Sequence, residues 1–333
     1  MTATESARPT VAITGAAGFT GSRLVRELTA SHPSWSIVAI DNFYRGSVRS
    51  IGDVPVQHVD VRDRTRLESV LDGADVVVHL AALSGVDDCQ SDPDMAYEVN
   101  VVGTGNVVNW CQKTGAGLVF PLSMAIVGDP QTFPITVEHP RQPVNWYGRT
   151  KVIGEQLVDS MAPEAFPAQC FIKANLFGAH EIDGQVVSRN NVVQLFTERA
   201  LRGDDLSVYE PGTQARNYLH VGDAARAYVR SVETVLERRS NGTTGVEKFE
   251  IAADNSPSVL DVAGLVQEIA AERGHSVGIE RVENPRTETL VSDFAVDTTT
   301  AESLLDWEAQ HGLTESIEEL FELLSDRRLS VTH

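Results

Sequence analysis

The 333-residue chain contains little lysine, few cysteines and no long apolar run. Because no apolar run reaches about 18 residues, the sequence predicts no membrane span. Residues 1–9 lack an apolar core and are expected to form a flexible tail, not a signal peptide. Cys89, Cys111 and Cys170 are odd in number and widely spaced, which fits neither a disulfide framework nor a metal site. The cysteines therefore indicate a reducing compartment, and we expect a cytoplasmic protein without metal.

Positive charge is also scarce. Lysine and arginine total 27 against 47 aspartates and glutamates, for a net charge of −20. Only four of the basic residues are lysines: Lys113, Lys151, Lys173 and Lys248. Such a surface repels a phosphate backbone and excludes nucleic acid as a partner. Acidic, lysine-poor surfaces suit a salt-rich cytoplasm that screens self-repulsion, so the composition indicates a halophilic protein, with an ordinary acidic enzyme as the alternative.

Strands and helices alternate along the first half of the chain. Apolar residues make up 42% of the sequence, enough for a large core. Short β-branched runs predict strands at 10–14, 35–40, 54–59, 75–80, 118–122 and 169–174. Helical spacing of apolar residues predicts helices at 22–28, 65–71, 92–114, 145–160, 187–202, 222–238, 259–272 and 314–327. This order predicts an α/β fold, a Rossmann-type doubly wound parallel sheet with a smaller C-terminal substrate-binding lobe.

A glycine-rich turn follows the first predicted strand. The sequence Gly15-Ala16-Ala17-Gly18-Phe19-Thr20-Gly21 separates that strand from a predicted helix. Glycines let the backbone approach a pyrophosphate, and amides at a helix N-terminus supply donors and partial positive charge. The cofactor-binding candidates in this turn are Gly15, Gly18, Phe19, Thr20 and Gly21. The order of strand, turn and helix indicates a dinucleotide site more than a plain tight turn.

Asp41 ends the second predicted strand, twenty-six positions after Gly15. A carboxylate there can accept hydrogen bonds from the adenosine ribose and would repel a 2′-phosphate. Arg45 and Arg49 lie nearby and could bind such a phosphate, which keeps NADP as the alternative. The sequence therefore favours NAD. We expect an NAD-binding Rossmann domain at 10–177, to which 214–238 returns, and a substrate-binding lobe at 178–213 and 239–330.

Tyr147 and Lys151 are four positions apart on a predicted helix, so their side chains project from one face. A tyrosine with an ordinary pKa near 10 is a poor base at neutral pH, but a neighbouring ammonium favours the phenolate. Ser123 follows a predicted strand and would hydrogen-bond the same substrate oxygen. These three are the candidate catalytic residues for removing a hydroxyl proton while a hydride passes to NAD.

Together the motifs resemble those of extended short-chain dehydrogenases/reductases of the NAD-dependent sugar-nucleotide epimerase/dehydratase family. They occur in family order as Gly15 to Gly21, Asp41-Asn42, Asp60-Val61, His79-Leu80-Ala81-Ala82, Asn100-Val101, Ser123, Tyr147-x-x-x-Lys151, Asn175-Leu176-Phe177-Gly178 and Arg216 to Asp223. The resemblance implies further NAD contacts by Asn42, Asp60, Val61, Leu80, Ala81, Ala82 and Asn100. It also implies that Tyr147 and Lys151 face the nicotinamide ribose.

The two residues after Ser123 limit which of the family's reactions we expect. In the family's 4,6-dehydratases an Asp-Glu pair follows the catalytic Ser/Thr, and the decarboxylases carry Glu at the Ala125 position; here Met124-Ala125 follows. A 4-epimerase needs no further acid or base, because its 4-keto sugar turns over and takes the hydride back on the other face. We therefore expect 4-epimerisation of a UDP-sugar. The alternatives are an enzyme similar to sulfoquinovose synthase, which has Thr-Met-Gly at these positions, and a non-catalytic NAD-responsive module.

The resemblance also implies nucleotide-sugar contacts, assigned to Ser84, Ser123, Met124, Asn175, Asn191, Tyr209, Arg216 and Arg286. Among these, Asn175, Arg216 and Arg286 match diphosphate positions, and Tyr209 would cover the uracil. An arginine fork suits phosphate because it donates two hydrogen bonds at once. Val127 and Lys173 depart from the family pattern, so the sugar can differ from glucose or galactose. Family members commonly form homodimers through the helices that correspond to 92–114 and 145–160.

Overall fold

The computed structural model describes residues 8–284, 291 and 293–331. The chain forms two compact units. The first comprises residues up to Ile126, Pro143–Ile172 and Ala225–Lys248, and the second comprises Val127–Gln142, Lys173–Ala224 and the residues from Phe249 onward. The strands are β1 Thr10–Thr14, β2 Ser36–Asp41, β3 Ser50–Ile51, β4 Val54–His58, β5 Val76–His79, β6 Gly117–Pro121, β7 Pro167–Lys173, β8 Asn175–Phe177, β9 Ala179–Ile182, β10 Gln185–Ser188, β11 Leu206–Tyr209, β12 Tyr218–His220, β13 Gly245–Ile251 and β14 Ile279–Val282.

The α-helices are α1 Phe19–Ser31, α2 Arg64–Leu71, α3 Val86–Ser91, α4 Pro93–Tyr97, α5 Thr104–Thr114, α6 Trp146–Met161, α7 Val192–Arg202, α8 Val221–Ser240, α9 Val259–Glu272, α10 Thr299–Leu305 and α11 Leu313–Val331. Across the described residues no helix is long and apolar enough to cross a membrane.

The main sheet has eight strands in the order β13-β7-β6-β5-β1-β2-β4-β3. The strands from β7 to β4 pair in parallel, and β3 runs antiparallel to β4. The chain builds outward from β1 through β2 to β4, then returns to the other side of β1 and continues through β5, β6 and β7. This reversal makes the carboxyl ends of β1 and β5 a topological switch point, where doubly wound sheets bind ligands. The predicted Rossmann-type sheet is confirmed.

The predicted helix at 92–114 is not one regular α-helix. It consists of α4, a π-helical segment at Glu98–Gly103, and α5. A π-helical segment widens a helix by one residue per turn and is frequent at functional sites. Here it contains the candidate cofactor residue Asn100, which is buried.

The second unit has its own apolar core, formed mainly by α7, α9, α11 and the short strands β11 and β12. The predicted helix at 187–202 is wrong over its first residues. Gln185 to Ser188 instead pair antiparallel with β9, after a turn in which Gly184 has φ +81. Asn191 then caps α7 by accepting a hydrogen bond from the Gln194 N–H. The hairpin turn therefore starts β10, and the Asn191 N-cap starts α7, although the helical spacing of apolar residues continues from one element into the other.

The unit boundaries differ from the expected domain boundaries. Residues 127–142 belong to the second unit, where Ile135 pairs with Val296. The segment that returns to the first unit is Ala225–Lys248, which overlaps the expected 214–238 over residues 225–238. Pairing between residues so far apart in the chain leaves no local sequence pattern, so the boundaries follow from tertiary contacts. The functional roles of the two units stay predictions.

Candidate dinucleotide and proton-transfer site

The glycine turn lies at the carboxyl end of β1, at the switch point. Gly15 has φ +73, and a Cβ at this position would lie 2.7 Å from the backbone nitrogen of Ala81. Gly18 caps α1, so the first turn of that helix has no side-chain cap. The next residue after Gly15, Ala16, donates from its backbone N–H to the Ile40 carbonyl of β2 over 3.0 Å. The result is a turn of bare backbone at a helix N-terminus, the usual form of an anion site.

Asp41 is the last residue of β2, and its carboxylate is held beside this turn. One oxygen accepts from the Ala17 N–H over 3.0 Å, and the other accepts from the Phe43 N–H over 2.7 Å. Burial raises the pKa of Asp41 above its ordinary value, against the lowering effect of these two hydrogen bonds. Each oxygen keeps further lone-pair capacity. The carboxylate is thus oriented to accept from additional hydroxyl groups.

Asn42 and Asp60 join the ends of β2 and β4. The Asn42 side chain donates to Asp60 over 3.0 Å, and Arg62 donates to both oxygens of the same carboxylate. The hydrogen bonds from Arg62 lower the pKa of Asp60 to about 2, so this group stays ionised. Val61, next in the chain, accepts at its carbonyl from the side chain of Asn106. The Asp60-Val61 turn is therefore fixed on both sides.

His79, at the end of β5, is a buried structural group. Its Nδ1 lies 2.7 Å from the Thr14 hydroxyl, and its Nε2 lies 3.0 Å from the Thr104 hydroxyl. Thr104 already donates to the Asn100 carbonyl, so it accepts from the Nε2–H of His79. Burial, followed by the charge of Lys151, lowers the pKa of His79 to about 3. A neutral imidazole thus locks β1 to β5 beside Leu80, Ala81 and Ala82.

Asn100 connects this loop to the helix that carries Tyr147. Its side chain accepts from the Leu83 N–H over 2.8 Å and donates to the Leu83 carbonyl over 3.1 Å. The same amide donates to the Thr150 hydroxyl over 3.0 Å, and Thr150 donates to the carbonyl of Tyr147 over 2.8 Å. These hydrogen bonds position the Leu83 loop and α6, and the contact of Asn100 with NAD stays a prediction.

Tyr147 lies in the first turn of α6, close to the segment that carries Ser123. Asn145 caps α6 by accepting from the Gly148 N–H over 2.8 Å. A Cβ on Gly148 would collide with the Ala125 carbonyl, so glycine permits the close approach of helix and loop. Tyr147 packs in a buried cluster with Leu83, Cys89 and Ala96. Ser123 is half-buried, and its hydroxyl accepts from the Ala125 N–H over 3.3 Å.

Lys151 is buried one turn further along α6. Its Nζ donates to the carbonyl of Pro121 over 3.2 Å and lies 4.6 Å from the centre of the Phe120 ring. Burial lowers the pKa of Lys151 to about 8. The ammonium is thus anchored to the end of β6, two residues before Ser123. The first unit therefore brings Ser123, Tyr147 and Lys151 to one region near the sheet's carboxyl edge.

Ser84 and Met124 occupy the loops that follow β5 and β6. The Ser84 carbonyl accepts from Arg45 over 3.1 Å. Met124 is buried in a short 3-10 turn that continues through Ile126. Met124 and Ala125 therefore place no carboxylate beside Ser123.

The second unit brings three of its candidates together. The pairing of β8 with β12 aligns Asn175 with Tyr218, two residues after Arg216. The side chain of Asn191 donates to the Leu176 carbonyl over 3.3 Å, next to the exposed Asn175. Tyr209 ends β11 and is 41% exposed. Arg286 lies outside the described residues.

The sequence of the chain matches the profile of the NAD dependent epimerase/dehydratase family over residues 11–245. The protein belongs to this family. It is 30% identical over 323 residues to UDP-glucose 4-epimerase of Rhizobium leguminosarum bv. trifolii, covering 92% of this chain and 95% of that protein. It is also 28% identical over 268 residues to UDP-N-acetyl-alpha-D-glucosaminuronate decarboxylase of Bacillus cytotoxicus, covering 77% and 79%.

Family members of known structure share the fold. The structure of UDP-glucose-4-epimerase from Stenotrophomonas maltophila, with bound NAD and formylated UDP-arabinopyranose, superposes with a TM-score of 0.84. The two chains are 24% identical, and the match covers 98% of this chain and 100% of that one. Membership confirms the resemblance drawn from the motifs, and it confirms NAD as the cofactor.

The residues at the switch point fit NAD. The glycine turn presents bare backbone at the carboxyl end of β1, the start of α1 has no side-chain cap and suits a pyrophosphate, and Asp41 is oriented to accept from hydroxyl groups. Across the described residues, no group of three or more His, Cys, Asp or Glu side chains could hold a metal ion. All three cysteines are free and buried.

The sequence analysis did not predict three residues that position the site. Thr14 links His79 to the Ala81 N–H, Thr150 links Asn100 to α6, and Pro121 holds Lys151 through its carbonyl. Thr150 lies inside the Tyr147 motif and could have been singled out by its position. The other two act through partners distant in sequence or through backbone atoms, which no residue type reveals.

Proposed function

We propose that the protein is a UDP-sugar 4-epimerase that works through a transient 4-keto sugar. The observation that carries this proposal is the combination of Ser123, Tyr147 and Lys151 with the apolar turn at Met124–Ile126. The three polar residues can oxidise and reduce a sugar carbon together with NAD. The turn supplies no further acid or base beside Ser123. An epimerase requires only this oxidation and reduction, and no further acid or base.

Each polar side chain has a distinct role in this mechanism. Tyr147 accepts the proton of the sugar C4 hydroxyl as its phenolate and returns it in the second half of the cycle. Ser123 hydrogen-bonds the same oxygen and steadies it in both oxidation states. Lys151, held at Pro121, places its positive charge where it favours the phenolate, one helical turn from Tyr147. NAD, when bound, supplies the acceptor and donor for the C4 hydrogen.

The second unit supplies the proposed nucleotide contacts. Asn175 and Arg216 are close through the pairing of β8 with β12, which supports a joint role in binding the diphosphate. The Arg216 guanidinium lies 6.0 Å from the Phe294 ring centre, and this cation–π contact helps to hold the guanidinium in place. Asn191 and Tyr209 are proposed to contact the sugar and the uracil. Arg286 is proposed as a second diphosphate ligand on sequence grounds alone.

Dehydration and decarboxylation are disfavoured by the same turn. The relative from Bacillus cytotoxicus is named a decarboxylase, and its 28% identity is close to that of the epimerases. The family's decarboxylases carry a glutamate where this chain has Ala125. An alanine cannot transfer a proton, so those reactions would need another group. The proposal therefore depends on the two residues after Ser123 more than on overall identity.

Two further candidates stay open to test. A sulfite-adding enzyme similar to sulfoquinovose synthase is suggested by the Ser123-Met124-Ala125 sequence. A non-catalytic NAD-responsive module would need no acid or base, and the retention of Ser123, Tyr147 and Lys151 argues against it.

We further propose a cytoplasmic homodimer formed through α4–α5 and α6, supported by the exposed Tyr97 of α4.

The deciding experiment identifies the product. The purified protein, in high salt with NAD, is incubated with UDP-, GDP- and dTDP-sugars, with and without sulfite, and products are identified by mass and stereochemistry. We expect a UDP-sugar to give its C4 epimer at unchanged mass, without sulfite. Loss of water or carbon dioxide, or a gain of sulfite, would replace the epimerase assignment. Tyr147→Phe protein is the control for contaminating activity.

A further inference from the structure

The side chain of Arg45 bridges two loops on opposite sides of β1. Arg45 follows β2, and its Nη1 donates to the carbonyl of Ser84, in the loop after β5, over 3.1 Å. Its Nη2 forms an ion pair with Asp88 of α3. Because β1 lies between β2 and β5 in the sheet, this side chain crosses the carboxyl end of β1.

The crossing lies over the glycine turn. Gly46, the residue after Arg45, packs so closely on the turn that a Cβ on it would lie 2.6 Å from the side chain of Ala17. The loop after β2 therefore rests on the turn, and Arg45 extends from it to Ser84 and Asp88. The uncapped start of α1 would hold the pyrophosphate of a dinucleotide bound at this turn, beneath the Arg45 side chain.

We propose that Arg45 and Asp88 form a latch that closes over the pyrophosphate of NAD and slows its release. The guanidinium has five donors in a rigid fork, so it can hold Ser84 and Asp88 and still present positive charge to a phosphate. Asp88 keeps the side chain extended across the turn. The Arg45 and Asp88 side chains are 49% and 41% exposed, so the pair is weak enough to open.

This role differs from the alternative that Arg45 binds a 2′-phosphate. That phosphate would lie beside Asp41, at the end of β2, whereas Arg45 is directed to the loop after β5. The latch thus concerns retention of the dinucleotide and not the choice between NAD and NADP. It rests on the NAD dependence of the family and is independent of which sugar the protein converts.

The test measures cofactor release without any sugar. The protein is loaded with NADH, excess NAD is added, and the loss of bound NADH fluorescence gives the dissociation rate. Arg45→Ala and Asp88→Asn should each release NADH about two- to fivefold faster than wild type, the effect that an exposed ion pair supports. The double variant should be no faster than the faster single variant, since both changes open one latch. Molar KCl should shrink the difference by screening the pair.

A matched control is Arg64→Ala, because Arg64 and Glu68 form a similarly exposed ion pair on α2. This variant should release NADH at the wild-type rate. Wild-type release in both Arg45→Ala and Asp88→Asn would mean that the pair is a surface contact only. Slower release in Asp88→Asn would mean that Asp88 competes with the phosphates for Arg45. Either result overturns the latch, and neither bears on the epimerase proposal.

Discussion

Lys151 donates from its Nζ to the carbonyl oxygen of Pro121 over 3.2 Å, which ties the candidate lysine of α6 to the end of β6. The strand leads two residues later to Ser123, and the helix carries Tyr147 one turn earlier. One buried hydrogen bond thus fixes the relative placement of the two elements that carry the proposed proton-transfer groups. The buried ammonium is stabilised by the Pro121 carbonyl, which accepts its hydrogen bond, and by the nearby Phe120 ring.

The burial of Lys151 predicts an alkaline limit to activity. Its pKa is lowered to about 8, so the ammonium is lost as the pH rises through that value. We expect kcat/KM to fall by about tenfold per pH unit above pH 8. Lys151→Arg should be slower but should lack this fall, because the guanidinium stays charged. A wild-type profile that stays flat to pH 10 would contradict the assignment.

Tyr147→Phe tests the proposed base. The change removes one oxygen from a side chain packed with Leu83 and Cys89, so the fold and NAD binding should be retained. Turnover should fall by roughly 10² to 10⁴, the usual contribution of a positioned acid or base. The measurement is the single-turnover reduction of bound NAD by sugar nucleotide, followed by absorbance, with Ser123→Ala alongside. Wild-type rates in Tyr147→Phe would show that the proton goes to another group.

Asp41 is expected to set the preference for NAD. Its carboxylate is held by the Ala17 and Phe43 amides and would repel a 2′-phosphate. We expect NAD to bind at least about tenfold more tightly than NADP, which corresponds to about 1.4 kcal/mol. Asp41→Ala should reduce this ratio, as measured by calorimetric titration. An unchanged ratio in that variant would assign the preference elsewhere.

Asn100→Ala should destabilise the first unit. The substitution leaves the Leu83 N–H and carbonyl and the Thr150 hydroxyl without their amide partner. Each buried group left unsatisfied costs about 1–3 kcal/mol, so we expect a clear loss of stability in urea unfolding. Asn106→Ala is the matched control, since that amide donates to the Val61 carbonyl at a less buried position. Equal losses in the two variants would argue against a special role for Asn100.

The acidic composition predicts a dependence on salt. A net charge of −20 destabilises the compact state by self-repulsion, and ions screen it. We expect the thermal midpoint to rise as KCl increases to molar concentrations. Sucrose at matched osmolality is the control for stabilisation by solute exclusion, which it causes without screening charge, so the rise with KCl should exceed the rise with sucrose. A midpoint that is insensitive to KCl would indicate an ordinary acidic enzyme.

Local chemistry allowed much of the fold and site to be predicted. The bounds of β1 and α9 agree with the predicted ranges 10–14 and 259–272, because each ends at strong local signals. The Ser258 capping box, for example, marks the start of α9. The glycine turn and the spacing of Tyr147 and Lys151 are likewise local patterns. Periodicity, caps and turn glycines act on near neighbours, so the sequence by itself determined the alternating strands and helices of the first half of the chain, the family and the candidate chemical groups, but not β3 or the strands after β7.

The tertiary structure decided which of these groups meet. Thr14 and His79 are 65 residues apart, and Asn100 and Thr150 are 50 apart, yet each pair is joined by a hydrogen bond. Arg45 reaches Ser84 only because β2 and β5 flank β1. Such contacts depend on strand order and on close approach of backbones, which leave no periodic trace in the sequence. For the same reason the π-helical turn around Asn100 and the lowered pKa of Lys151 arise only once the chain is packed.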